Sequence, residues 1–242
     1  MIASAVRSSE PRLHLPPAFT WVAPAADAAV HDFACAIAPR LGADTLTSRA
    51  GERWLELAVV LEPEEPLRLA RRAILPCMVA LAEAVGACAP PEKPAALDYP
   101  DVIRFDGARL GGGRLAWPES CGEDEVPAWL VFSAMLIASK SHAGDPGLTP
   151  GTTALDEEGF EPDAPEAIVE AFARYLMLGF DAVRESGFEG WSDAYRRWLP
   201  EGRAVRIDAG GNLRPVEGPA IELAPALAGT AWLDPQTGAP RL

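Results

Sequence analysis

Arg109 and Arg114 bracket three consecutive glycines, Gly111-Gly112-Gly113, and this run offers chemistry that the sequence states plainly. A guanidinium can grip a carboxylate or a phosphate through two parallel hydrogen bonds. Glycines let a backbone come close to a ligand and present free N–H donors to it. Each feature has a plainer reading too. Both arginines suit an exposed strand, and the glycines suit a bulge that bends one. Lys93, in Pro90-Pro91-Glu92-Lys93-Pro94, is either a solvated loop residue or a cation able to swing toward such a site. Lys140 has no motif around it. Cys121 sits beside Glu119, Glu123 and Asp124, which keep a thiol protonated and make it a poor nucleophile.

Other common sites are missing from the sequence. There is no G-x-S-x-G elbow, no G-x-x-x-x-G-K-[ST] loop and no G-x-G-x-x-G after a strand. Cys35, Cys77, Cys88 and Cys121 form no C-x-x-C pair, and His14, His31 and His142 have no metal-binding spacing, so no metal site is expected. The acidic runs Glu123-Asp124-Glu125 and Asp156-Glu157-Glu158 read as solvated charge. The 242 residues carry 21 Lys+Arg against 35 Asp+Glu, a net charge of −14, and all but two of the cations are arginines. Such a body repels a phosphate backbone, which argues against a nucleic-acid partner. No stretch approaches a bilayer span and no secretory signal is visible, so a cytoplasmic protein with reduced thiols is expected.

The elements that must position these residues follow from periodicity. Residues 1–20, with Pro11, Pro16 and Pro17, read as an extended entry arm. Val30, Phe33, Ala34, Ile37 and Leu41 give a helix over Asp27–Leu41, ended by Pro39 or Gly42. Trp54–Leu61 reads as a buried strand. Pro66 opens a long helix that Pro76 should kink or restart. Asp101–Phe105 and Arg114–Trp117 flank Asp106-Gly107, a strong hairpin signal, and Trp129–Ala138 reads as a central strand. Asp163 with Glu166 matches a capping box, opening a helix that Gly187 ends before a second piece from about Trp191 to Leu199. After Pro200 the pattern is β: a hairpin of Arg203–Asp208 with Leu213–Val216, then Ala220–Leu223 and Thr230–Leu233. Two units are expected, 1–199 and a small β-rich domain at 200–242 that must dock on the first.

The run Leu97-Asp98-Tyr99-Pro100-Asp101-Val102-Ile103-Arg104-Phe105-Asp106-Gly107, followed by Arg109-Leu110-Gly111-Gly112-Gly113, resembles the central signature of the biotin/lipoate protein ligase family. That signature reads K-W-P-N-D, a strand, D-G, then K-x-A/S-G. Thr152-Thr153-Ala154-Leu155 is similar to the family's A-T-S-L segment, and the order of flanking elements over about residues 15–242 also fits. The likeness is to a bacterial branch of the family.

The resemblance implies an α/β (α+β) fold: a mixed central sheet with flanking helices, as in the catalytic core of class II aminoacyl-tRNA synthetases. It implies ATP with Mg²⁺, and biotin, lipoate or octanoate as the acyl ligand. A biotinyl or lipoyl carrier domain would be the acceptor, and a homodimer is compatible with it. Arg109, Arg114 and Lys93 become the candidate catalytic residues. Arg49, Arg53, Trp54, Asp98, Tyr99, Pro100, Asp101, Gly111, Gly112 and Gly113 become the candidate ligand-binding ones. The departures are specific. Asp98 stands where the motif has its lysine, Asp101 and Val102 replace Asn-Asp, and the glycine/arginine loop is cut down to Ser48-Arg49-Ala50-Gly51-Glu52-Arg53-Trp54. Loss of adenylation, leaving a non-catalytic acyl- or nucleotide-binding module, is the alternative.

Overall fold

The computed structural model describes residues 13–144, 146–200 and 205–242. Its centre is a seven-stranded sheet in the order β1-β2-β3-β7-β6-β5-β4. The strands are β1 (Thr20–Trp21), β2 (Thr45–Ala50), β3 (Trp54–Leu61), β4 (Ala95–Asp98), β5 (Val102–Phe105), β6 (Ala108–Ala116) and β7 (Leu130–Ile137). Only the β1–β2 pair is parallel. β7 lies between β3 and β6, the central place expected for an apolar run.

One face of the sheet carries α1 (Val30–Leu41), whose Val30, Ala34 and Ala38 pack on Ala58, Val60 and Val131. The other face carries the main core, with α3 (Ile74–Cys88) against α4 (Ala164–Arg196). Phe132 of β7 stacks on Phe172 of α4 there, ring centroids 5.8 Å apart. Small residues on α1 bring that helix close to the sheet. Large ones on α3 and α4 fill the deeper layer.

Several expectations meet different local physics. α1 begins at Val30 instead of Asp27, includes Pro39 and stops at Gly42, whose φ of 71° only glycine adopts freely. The Pro66 helix is broken: α2 (Leu67–Ala70) runs through a 3₁₀ turn at Arg71–Ala73 into α3, and Pro76 lies in the first turn of α3, where its missing N–H costs nothing. β6 starts at Ala108 and takes in all three glycines, so the hairpin is tighter than expected, and its register shift falls between Ile103 and Arg104. Asp163 caps α4 without a side-chain hydrogen bond, because its φ/ψ of −93°/2° departs from the extended geometry of a capping box. α4 turns at Gly187 (φ 71°) and resumes at once.

Past Pro200, β8 (Val205–Ile207) and β9 (Leu213–Pro215) form the expected hairpin, although Arg203 lies outside the described residues, as does Pro11 of the entry arm. The strand expected at 220–223 is reduced to one antiparallel bridge, Ile221 to Leu213, before α5 (Leu223–Ala228) begins. Thr230–Leu233 forms no strand either. Leu233 bridges Pro240, so 230–242 folds back on itself as a strap. Val205, Ile207, Leu213 and Leu223 join the main core, which is how this short region buries its apolar groups.

Candidate functional site

Alternation along β6 sorts the motif residues between the two faces. A Cβ on Gly113 would lie 2.6 Å from Phe132 and 2.7 Å from Met78 Sδ, in the main core. Gly111 lies so close to β7 that a Cβ would meet the Met135 carbonyl oxygen at 2.0 Å. Gly112 faces the α1 side, where a Cβ would lie 2.5 Å from the Trp232 ring and 2.6 Å from the Asp101 carbonyl oxygen. Close approach is therefore the reason for all three glycines. At Gly112 the approaching group is an indole of the same chain.

Arg109 follows the β5–β6 turn and is clamped by loop 149–153: its N–H donates to the Gly151 carbonyl at 3.1 Å, and its carbonyl accepts from Thr153 N–H at 3.0 Å. The guanidinium Nη2 donates to the main-chain carbonyl of Arg241 at 2.8 Å, while Nε is buried without a partner. Burial, then the charges of Arg104 and Arg241, push its pKa down. A half-buried cation held by a lone carbonyl is short of an anion.

Arg114 lies opposite Ser133 on β7, beneath α1. It makes no hydrogen bond or ion pair among the described residues; Asp32 and Glu56 act on it through the field, against burial. Beside it, His31 Nδ1 is 2.7 Å from Ser133 Oγ and His31 Nε2 is 3.8 Å from Cys35 Sγ. Burial, then the Arg114 charge, lowers the His31 pKa to about 4, so the imidazole is neutral near pH 7. Burial and Asp32 raise Cys35 to about 11, which keeps it a thiol. His31, Arg114, Ser133 and Glu56 are the polar lining of a cavity of about 20 Å³ that Gly238 of the strap also borders. Sequence reading passed over all but Arg114. The His31/Cys35 pair at i,i+4 was the available signal.

The other motif residues go elsewhere. Asp98 Oδ2 accepts from Arg104 Nε at 2.6 Å. Tyr99 donates to the Gly211 carbonyl at 2.8 Å and meets Tyr195 edge-on, and burial raises its pKa. The Pro100 carbonyl accepts from Tyr195 at 3.2 Å. Asp98, Tyr99 and Pro100 thus tie β4–β5 to its own neighbours, to α4 and to the β8–β9 turn. Asp101 is buried; its carbonyl accepts from Gly113 N–H at 2.8 Å, and burial lifts its carboxyl to about 6 against the pull of the nearby Trp232 indole. The two side chains do not reach hydrogen-bond geometry, so Asp101 Oδ2 and Trp232 Nε1 both stay buried and unpartnered.

Arg49 donates to the carbonyls of Ala28 at 3.0 Å and Ala25 at 2.6 Å, fixing the approach to α1. Arg53 is exposed in the short β2–β3 turn, and Trp54 meets His142 edge-on at 5.8 Å. Lys93 pairs with Glu158 at 2.5 Å, in the loop that follows Thr153. Lys140 is buried, holding Thr152 O at 2.6 Å and Glu157 at 2.9 Å, and so anchors the loop that clamps Arg109. Cys121 shares a separate small apolar cluster with Leu67, Ala70 and Trp117. The structure therefore brings Arg109, Arg114, Gly112 and Asp101 to the α1 face, with Arg49 at its edge, and engages Lys93 with Glu158 of the loop that clamps Arg109.

Residues 15–197 match the model of the biotin/lipoate A/B protein ligase family. The chain belongs to that family. Among solved structures, a biotin protein ligase-like protein of unknown function from Silicibacter sp. TM1040 is 29% identical, with a TM-score of 0.76 over 89% of this chain and 99% of that one. The fold is also that of the biotin protein ligase R40G mutant from Aquifex aeolicus, in complex with biotin, with a TM-score of 0.60 and 13% identity over 85% and 95% of the two chains. The Leishmania major biotin protein ligase in complex with biotin gives 0.52 and 17% over 86% and 98%. No curated protein matches. No helix among the described residues of this chain is long and apolar enough to cross a membrane, and no group of three or more His, Cys, Asp or Glu among them is set to hold a metal ion.

Proposed function

We propose that this family member binds a small carboxylate-bearing acyl ligand, biotin, lipoate or octanoate, on the α1 face and attaches it to a carrier-protein lysine with ATP. The observation that carries the reading is Arg109. Its guanidinium is half-buried, sits at the position of the family's post-D-G lysine, and lacks any anionic partner among the described residues. In the reaction, a carboxylate oxygen attacks the α-phosphorus of ATP and pyrophosphate leaves; the carrier lysine amine then attacks the acyl carbonyl and AMP leaves. Two anions must be brought together, so fixed cations at Arg109 and Arg114 reduce the repulsion. Mg²⁺ arrives with the phosphates as part of the substrate. Asp98 does not spoil the field as its charge alone suggests, because Arg104 offsets it.

A second reading, a binding module without adenylation, is favoured by the β2–β3 connection. Gly51-Glu52-Arg53 is a three-residue turn and offers little cover to an adenylate. We read residues 1–199 as the catalytic-type unit and 200–242 as a small β-rich domain, in a cytoplasmic protein that acts as a monomer or a homodimer. Pyrophosphate release with each acid plus ATP-Mg²⁺, alongside calorimetric binding, tests this. Turnover lost in Arg109→Ala supports the ligase, binding without turnover supports the module, and no binding of any acid overturns both.

A further inference from the structure

The seat on the α1 face is already filled. Trp232 is fully buried with its ring packed against Gly112, and the Arg241 carbonyl accepts from Arg109 Nη2. An apolar ring plus an oxygen on a guanidinium is the same two-part chemistry as an acyl body plus a carboxylate or phosphate oxygen. The space left beneath Gly238 is about 20 Å³, room for one water molecule, whereas small-molecule sites are on the order of hundreds of Å³.

We propose that residues 230–241 are a plug: they occupy the ligand seat through Trp232 and Arg241, and they must swing away before an acyl ligand binds. Resting on the function proposed above, this assigns regulation to the same face. Three features suit a part that leaves as a unit. The strap holds itself together, with Asp234 N–H to Ala239 O at 2.8 Å, Gly238 N–H to Asp234 O at 2.8 Å and Arg241 N–H to Trp232 O at 2.8 Å. Among the described residues a single hydrogen bond, from Arg109, joins it to the body. Its seat is imperfectly satisfied, because the Trp232 indole N–H and the Asp101 carboxyl lie together without full hydrogen-bond geometry and Arg109 Nε is buried and unpartnered. A ligand anion on Arg109 competes directly with the Arg241 carbonyl, and a charged acceptor is the stronger partner.

Two full-length variants test this. Trp232→Ala empties the seat. Gly238→Pro leaves Trp232 in place but breaks the strap's turn, since Gly238 has φ 66° and donates its N–H. Binding of biotin, lipoate and octanoate is measured by calorimetry, and amide exchange of peptides covering 230–242 is followed by mass spectrometry. The expected result is at least tenfold tighter binding by both variants, with strap amides exchanging far faster than those of β6 and β7. Weaker or unchanged binding in both variants makes the strap a wall or a bystander and overturns the proposal. So does exchange of the strap only at the rate of the central strands. If no form binds any acid, the acyl function falls; fast local exchange then still supports a strap that opens, and slow exchange overturns it.

Discussion

Asp98 and Arg104 meet diagonally across the β4–β5 pair, guanidinium Nε donating to carboxylate Oδ2 at 2.6 Å, while Asp98 itself lies opposite Val102 and Arg104 opposite Ala96. An acid at a position where the family signature has a lysine is thereby matched by a base six residues on. Both side chains are 37% exposed, so water screens the pair and its stabilising effect is small. Asp98→Asn should lower stability by less than about 1 kcal/mol, read from the urea midpoint. Asp98→Lys should cost more than Asp98→Asn, because it sets two cations together. A larger loss in Asn than in Lys would refute the pairing.

Gly111 and Gly112 should answer substitution differently. At Gly111 a Cβ meets a backbone carbonyl in the sheet interior, so nothing can yield locally. Gly111→Ala should cost more than about 3 kcal/mol and prevent accumulation of folded protein. At Gly112 half of the clash is with Trp232, which can move. Gly112→Ala should cost about 1–3 kcal/mol and speed proteolysis in 230–242. Equal losses at the two positions would contradict the assignment.

Asp101 and His31 give opposite pH dependences in nearly the same window. The folded Asp101 pKa of about 6 lies above its ordinary 3.8, so the native state holds more protons and stability falls as pH rises between these values. The folded His31 pKa of about 4 lies below its ordinary 6.5, so stability rises with pH over that range. Each effect is on the order of 3 kcal/mol at full extent, and they largely cancel. Asp101→Asn should unmask the rise and His31→Asn the fall. Urea midpoints from pH 4 to 7, taken as differences from the unsubstituted protein, isolate each group.

Lys140 is a buried cation that serves loop 149–158. Lys140→Met removes the partner of the Thr152 carbonyl and of Glu157, which should cost about 2 kcal/mol. Because the same loop clamps Arg109, ligand affinity should fall with it. Lys93→Ala, at a more exposed pair with Glu158 of the same loop, should lower affinity less. A calorimetric titration of both variants decides the matter.

Local patterning along the chain dictates several elements without reference to distant contacts. Trp54–Leu61 and the central β7 follow from β-branched and aliphatic runs, the β5–β6 turn from Asp106-Gly107, and the α1 face from apolar spacing. The order of the motifs was enough to point to the family. β2 escaped notice because Thr45–Ala50 is polar and resembled a remnant of a loop, yet pairing with β3 on one edge and β1 on the other makes it a strand. α5 is not signalled because Leu223–Ala228 is too short for helical periodicity to show and falls between the two runs, 220–223 and 230–233, that carry a β pattern.

Tertiary structure alone decided who sits with whom at the site. No local pattern links Gly112 to Trp232, 120 positions away, or His31 to Ser133, because these contacts come from folding the chain across a sheet face. It also paired Lys93 with Glu158 and matched Asp98 with Arg104. Residue types set which groups can carry charge; only the packed sheet sets which charges meet.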